Sequence, residues 1–344
     1  MADKVSWGIL GTGGIAKAFA RALADSSTSE LVAVGSRSQE SAEAFGDEFG
    51  VPRRYGSYAG VLADPGVQAV YISLPNHLHA EWGINCARAG KHILCEKPLT
   101  ATYAEAQALV EAARAADVFL MEAFMYRCHP KTAKLVELIN SGIIGDVRVI
   151  QVNFSFNFGD QPENIRAKRA TAGGGIMDVG GYAMSLARLL AGAALGQDGP
   201  AEPVSLCGTG HIEPAYGVDT WAVAALKFPH DILATLTCGM QVNIWTPTVI
   251  FGSKGRIVVP NPWFPGEKPE EAQIEVYVDG TDQPEIISVP GPAGLYTIEA
   301  DLVAKHLADR QAPSPAMTWA DSLGNMKALN EWRHQVGVCF EGED

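Results

Sequence analysis

The chain has 344 residues, 47% hydrophobic and 19% charged, a length that suggests two domains and a composition that excludes a disordered or fibrous polypeptide. Its formal charge of −13, with no run of Lys or Arg, argues against nucleic acid as a partner. The six cysteines (Cys86, Cys95, Cys128, Cys207, Cys238, Cys339) form no CxxC or Cys/His cluster, and no apolar stretch reaches the roughly 18 residues of a bilayer span. Zinc, a disulfide framework and a membrane are therefore not expected, and buried free thiols in a reducing compartment are.

The opening MADKVSWGILG runs straight into a strand and lacks the apolar core of a signal peptide, which predicts a cytoplasmic protein. Short apolar runs then alternate with amphipathic stretches. Strands are expected at Val5–Leu10, Leu31–Ser36, Ala69–Leu74, His92–Cys95 and Val118–Glu122. A helix over Ile15–Asp25 places Ile15, Ala18, Phe19 and Ala22 on one face, and a helix over Thr102–Ala116 opens with a Thr102/Glu105 capping box. The pattern is α/β, a doubly wound parallel sheet of Rossmann type over residues 1–122.

Residues 123–344 have a different rhythm. A helix over Lys131–Asn140 closes at Ser141-Gly142, strand-like alternation follows over Val147–Phe158, and a glycine-rich turn and helix run from Gly173 to Gly192. Strands are expected at Trp221–Phe228, Ile232–Cys238, Thr248–Phe251, Arg256–Val259 and Gln273–Val278, then helices at Thr297–Arg310 and Trp319–Gln335. Strands without intervening helices imply a mainly antiparallel sheet in an α+β domain, and this part of the chain is expected to carry substrate binding and oligomerisation. Its C-terminal helices are candidates to pack back on the first domain.

Gly11-Thr12-Gly13-Gly14-Ile15-Ala16 fits G-x-G-x-x-A between the first strand and the first helix. Gly11 permits the tight turn, Gly13 lets the backbone approach a pyrophosphate, and Ala16 allows close helix–strand packing. The helix N-terminus offers free N–H groups and a partial positive charge. At the tip of the second strand an NAD site usually carries an acid for the ribose 2′-hydroxyl; here stand Ser36, Arg37 and Ser38. Two hydroxyls and a guanidinium suit a 2′-phosphate, so NADP(H) is favoured over NAD(H).

Ligands of open α/β sheets bind beyond the C-terminal strand ends. Leu74-Pro75-Asn76-His77-Leu78-His79 follows the third expected strand and Cys95-Glu96-Lys97-Pro98 the fourth. Lys97 at such an end can hydrogen-bond a substrate hydroxyl or polarise a carbonyl during hydride transfer, with Glu96 orienting it. Asn76 is a candidate for cofactor ribose or phosphate. His79 belongs either beside the nicotinamide or to a cap or packing contact.

The chain resembles the glucose–fructose oxidoreductase/inositol dehydrogenase (Gfo/Idh/MocA) family, on GTGGIA at 11–16, SLPNHLHA at 73–80, AGKHILCEKPL at 89–99 and GGGIMDVGGY at 173–182. The resemblance implies that Lys97, in the E-K-P motif, is catalytic. Inositol dehydrogenases place Asp and His four residues apart; this chain has Asp178 and Tyr182, like the branch with dihydrodiol dehydrogenase and NADP-dependent xylose dehydrogenase. MEAFMYRCHP at 121–130 and NIR at 164–166 strengthen that likeness. It further implies a large open sheet in the second domain, often used for dimer formation.

In an α-helix Asp178 and Tyr182, at i and i+4, share a face. A phenol titrates near pKa ~10, and a neighbouring ammonium such as that of Lys97 lowers it. Tyr182 is therefore expected as general acid/base, Lys97 as its electrostatic partner and Asp178 as substrate orienter. Arg166 is a candidate substrate-binding cation, Arg127 a second site cation or a structural one. Trp263 and Phe264 are either an apolar wall over a sugar ring or packing residues. No metal-ligand spacing occurs among the eight histidines. The reading is an NADP(H)-dependent oxidoreductase on a CH–OH/C=O group of a sugar, polyol or cyclic diol, forming a homodimer or homotetramer through the second-domain sheet. The alternatives are a non-catalytic NADP-binding redox sensor and a sugar-dismutating enzyme with tightly bound cofactor.

Overall fold

The computed structural model describes residues 4–244, 246–340 and 343, so the first three residues of the opening strand-entry segment lie outside them. The chain forms two compact units, one made of the chain through Cys128 with Ala293–Trp319, the other of His129–Pro292 with the chain from Ala320.

The first unit alternates β1 (Val5–Leu10), α1 (Gly14–Asp25), β2 (Ser29–Gly35), α2 (Gln39–Phe49), β3 (Arg53–Tyr55), α3 (Tyr58–Ala63), β4 (Ala69–Ile72), α4 (His79–Arg88), β5 (His92–Glu96), α5 (Tyr103–Ala115), β6 (Leu120–Ala123) and the short α6 (Met125–Cys128). The six strands lie parallel in the order β3-β2-β1-β4-β5-β6. β4 and β6 are buried along their whole length, which is why they read as continuous apolar runs rather than alternating ones. On α1, Phe19 stacks on Tyr71 of β4 at 4.0 Å and meets Trp7 of β1 edge-on at 5.3 Å, which fixes the helix to the sheet. Thr102 and Glu105 form the expected capping box of α5. Helices α2, α3 and α4 and strand β3 were not anticipated from the sequence.

The second unit begins with α7 (Pro130–Asn140) and β7 (Val147–Ser155) and continues, through a π-helical turn at Ile176–Gly180, into α8 (Gly181–Ala194). Then come β8 (Ser205–Glu213), β9 (Val218–Lys227), β10 (Leu233–Gly239), β11 (Thr248–Gly252), β12 (Gly255–Val259), β13 (Gln273–Val278) and β14 (Glu285–Ser288). They form one eight-stranded sheet, β14-β13-β12-β11-β7-β10-β9-β8. Every neighbouring pair is antiparallel except β7 and β10, which run parallel. Helix α8 packs on β7 and β10, and thirteen of its fourteen residues are buried. Residues of β9 alternate from Trp221 onward, leaving Trp221 and Val223 exposed; Leu233 of β10 is exposed as well.

After β14 the chain re-enters the first unit as α9 (Leu295–His306), which packs on α1 and α6. Its Asp301 accepts from Ser26 and Thr28 at 2.5 Å each, and Thr297 donates to Ala22 O at 3.1 Å. The closing helix α10 (Trp319–Val336) belongs to the second unit from Ala320. The units thus part after Cys128 rather than at 122, and the chain crosses between them more than once. No helix among the described residues is long and apolar enough to cross a membrane. All six cysteines are free of disulfides; Cys86, Cys95 and Cys238 are buried as expected, whereas Cys207 is exposed on β8.

Candidate active site

Register aligns the ends of the parallel strands. Gly35, Leu10, Ile72, Cys95 and Glu122 stand in one row across the first sheet. The residues that follow therefore emerge on one edge: Ser36, Gly11, Ser73 and Glu96-Lys97. Gly11 has φ +102°, and a Cβ there would lie 3.0 Å from Ser73 Oγ, so the turn requires glycine. Gly13 caps α1 without any side-chain hydrogen bond, and a Cβ at Gly13 or Gly14 would meet no heavy atom within 4 Å. Thr12 and Ile15 are partly exposed beside them, while Ala16 is fully buried against the fold. The open backbone N–H groups of a helix N-terminus fit a dinucleotide pyrophosphate.

At the tip of β2, Ser36 is buried and its N–H donates to Tyr55 O at 3.0 Å. Arg37 is exposed. Its cation partly offsets the rise that burial imposes on the Tyr58 phenol. Ser38 is the N-cap of α2: its Oγ accepts from Ser41 N at 3.1 Å and donates to Ser41 Oγ at 3.0 Å. The hydroxyl read as a phosphate ligand thus already serves a helix end.

Beyond β4, Leu74 is buried and Asn76 opens a short 3₁₀ turn. His79 is fully buried, with Nε2 2.8 Å from Leu74 O and Nδ1 2.8 Å from Pro98 O. Burial holds its imidazole below the usual pKa. The neutral ring donates its one N–H to one of these carbonyls and lies against the other, so it fills the space between the loops after β4 and β5, which favours the packing alternative.

Lys97 is half-buried, and its peptide bond to Pro98 is cis. Glu96 Oε2 accepts from the Lys97 backbone N–H at 3.2 Å, and Glu96 Oε1 accepts from the Tyr71 hydroxyl. Glu122 Oε1 takes the N–H of Leu99 at 2.8 Å, so the loop is held at both ends. Behind Glu96 lies Glu299 of α9, fully buried; burial first, and the Glu96 charge second, raise it well above the carboxylate range. One neutral and one shared carboxylate can thus coexist beside Tyr71.

In the second unit Gly173 is pressed against neighbouring backbone. A Cβ on Gly173 would lie 2.3 Å from Arg166 O, and Gly174 N–H donates to that same oxygen at 2.9 Å. This brings two expected residues together: Arg166 Nε donates to Asp178 Oδ2 at 2.8 Å. Asp178 does not sit on an α-helix, as the i, i+4 argument assumed, but on the wider π turn that leads into α8, a feature frequent at functional sites. Tyr182, on the first turn of α8, is buried and packs edge-on against Phe154 at 5.1 Å and Trp263 at 5.6 Å. Phe154 and Trp263 stack at 5.2 Å, and Trp263 Nε1 donates to Asn153 O at 3.2 Å. Trp263 is therefore a packing residue of this cluster, while Phe264 is exposed at its margin, 6.0 Å from Phe154. Arg127, in the first unit, is fully buried with Nε on Pro315 O, the structural alternative.

Phe154 was missed, although Phe154, Phe156 and Phe158 alternate in the sequence as an aromatic edge. Asp219, buried on β9, was also missed. Among the described residues no three His, Cys, Asp or Glu side chains gather as a metal site.

Residues 5–124 match the model of an oxidoreductase family with an NAD-binding Rossmann fold, GFO/IDH/MocA, and residues 132–258 match its C-terminal domain. The chain is 36% identical to a D-xylose 1-dehydrogenase (NADP(+)) of Haloferax volcanii, over 94% of this chain and 95% of that protein. It is 32% identical to the trans-1,2-dihydrobenzene-1,2-diol dehydrogenase of Mus musculus, over 97% of each. Among solved structures, a 3-ketoreductase of Actinomadura kijaniata in complex with NADP and TDP-benzene superposes with a TM-score of 0.84 at 28% identity, covering 97% of this chain and 98% of that one.

Proposed function

The chain belongs to the GFO/IDH/MocA oxidoreductase family, and from that premise we propose that it is an NADP(H)-dependent enzyme of the cytoplasm, interconverting CH–OH and C=O in a sugar, polyol or cyclic diol. The observation that carries this reading is the single sheet edge from which Gly11, Ser36 and Lys97 emerge. The N–H groups at the start of α1 hold the pyrophosphate, and Leu74, Asn76 and the loop beside His79 border the same edge. When bound, the nicotinamide supplies the hydride acceptor or donor. In the first unit Lys97 is the proposed hydrogen-bond partner of the substrate oxygen; in the second, Tyr182 is the proposed proton-transfer group and Asp178, held by Arg166, the proposed substrate orienter. The sugar and diol classes follow the D-xylose dehydrogenase and the dihydrobenzenediol dehydrogenase to which the chain is similar. A panel of sugars, polyols and cyclic diols, offered with NADP and NAD in parallel, tests the reading; no reduction of either nucleotide by any member would reject it.

What supports NADP(H) is the β2 tip, where no acid stands and Arg37 is exposed. Arg37→Ala is expected to weaken NADP(H) roughly 10–100-fold and NAD(H) far less, as loss of a charge-assisted hydrogen bond implies. Equal loss of both nucleotides would mean that Arg37 lies on the adenine without reading the phosphate.

Assembly is proposed through the second-unit sheet. Trp221 (41% exposed) and Val223 (45%) share one face of β9, an apolar patch that a second copy would cover, and Leu233 (46%) is exposed further along on β10, opposite Lys227. Light scattering at micromolar concentration is expected to give at least a dimer, and Trp221→Glu to shift it toward monomer. A wild-type monomer would count against this surface.

A further inference from the structure

The glycine tract that precedes Asp178 is shaped around a buried carboxylate. Strand alternation would set Asp219 on the same side as exposed Trp221 and Val223, yet Asp219 is fully buried. The cause is a bulge. Trp221 pairs with His211 and Asp219 with Ile212, so Thr220 is the extra residue and the alternation reverses there. The inward-turned carboxylate accepts on Oδ2 from the N–H of Ile176, the first residue of the π turn, at 2.7 Å. A Cβ on Gly174 would lie 2.4 Å from Asp219 Oδ1, and one on Gly175 3.2 Å from Oδ2. Gly174 also has φ +112°, so it is required twice over.

This carboxylate is costly where it stands. Oδ1 is buried and makes no hydrogen bond among the described residues. Burial raises its pKa to about 6, against the opposing pull of the N–H groups of Ile176, Asp219 and Gly175 and of the Arg333 cation on α10. Among the described residues Cys238 of β10 also faces it, its thiol raised by burial first and then by the charges of Asp219 and Asp178. Its partner across β8 is the uncharged Ile212. An ionised side chain kept inside at such cost, and aimed by a bulge, points to a role other than stability.

We propose that Asp219 is a positioning residue for the reaction, its carboxylate anchoring the first π turn and thereby setting where Asp178 and Tyr182 stand. It touches no reacting atom and acts through the Ile176 backbone. The inference rests on the roles given to Asp178 and Tyr182 under Proposed function.

The test is Asp219→Asn in the full chain, read four ways. kcat is expected to fall about 10–100-fold, the scale of a small misplacement of catalytic groups, with the KM for NADP(H) unchanged. Amide hydrogen exchange over residues 176–182 is expected to quicken while other segments keep their wild-type rates. Tm near neutral pH is expected to stay level or rise, because a buried charge is removed. The fold favours the protonated form of Asp219, so its contribution to stability is full below its unfolded pKa and lost as pH rises through about 6. The Tm advantage of the variant is therefore expected to shrink on acidification through that value. Gly174→Ala, which displaces the carboxylate without removing it, is expected to repeat the kcat loss and the faster exchange at 176–182, and it carries the test if Asp219→Asn does not fold. Unchanged exchange at 176–182 overturns the inference whatever the activity, as do unchanged kcat or kcat and Tm falling together with exchange quickened throughout. Faster local exchange in a protein that oxidises no sugar or diol would remove the proposed function and leave the anchoring of the turn standing.

Discussion

Lys97→Met is expected to lower kcat by roughly 10²–10⁴, the usual contribution of a positioned proton-transfer group, while NADP(H) binding changes little. The substitution keeps the length and apolar stem of the side chain and removes its ammonium. The loop around Lys97 also has backbone contacts of its own. Glu96 Oε2 accepts from the Lys97 N–H and Glu122 Oε1 from the Leu99 N–H, with His79 against Pro98 O. Saturation kinetics combined with a fluorescence titration of the nucleotide separates chemistry from binding. A variant with normal kcat would show that Lys97 carries no chemistry, and one whose nucleotide affinity collapsed would make it a cofactor ligand instead.

Tyr182→Phe is expected to depress kcat comparably, again by roughly 10²–10⁴, without unfolding the protein. The change removes one oxygen and leaves the ring, whose edge-on contacts with Phe154 and Trp263 are made by carbon atoms. The pH profile of kcat/KM is expected to lose one limb in the variant, as the proton-transfer role proposed for Tyr182 requires. Thermal unfolding close to that of wild type would confirm that the aromatic cluster survives. Near-normal kcat with an unaltered pH profile would route the proton through Lys97 or Asp178. If Lys97 and Tyr182 serve one step, the double variant will lose far less than the product of the single losses.

Much of the first unit was legible in the sequence because its signals are local. The glycine turn at 11–16 and the Thr102/Glu105 box each depend on side chains within a few residues of one another. The omissions have physical reasons. β3 is only three residues long and reads Arg-Arg-Tyr, too short for any period to register. β8, Ser205–Glu213, carries few large apolar residues because its place at the sheet's end demands little burial. Helix α4 opens on His79, a residue that the sequence offers for chemistry and the fold uses between two carbonyls.

The candidate site divides in the same way. The sequence by itself determined the family, the glycine turn at 11–16 between β1 and α1, and the E-K-P lysine at a strand end, because each depends on a short motif whose backbone requirement is carried by its own residues. Tertiary structure alone decided that β7 pairs in parallel with β10 although nearly eighty residues separate them, that α9 returns to the first unit through Asp301 and Thr297, and that Asp178 meets Arg166 on a π turn. It alone turned Asp219 inward, through a single unpaired Thr220. These outcomes depend on which distant surfaces bury one another and on one residue of register, and a period-two pattern read along β9 assigns Asp219 to the opposite face.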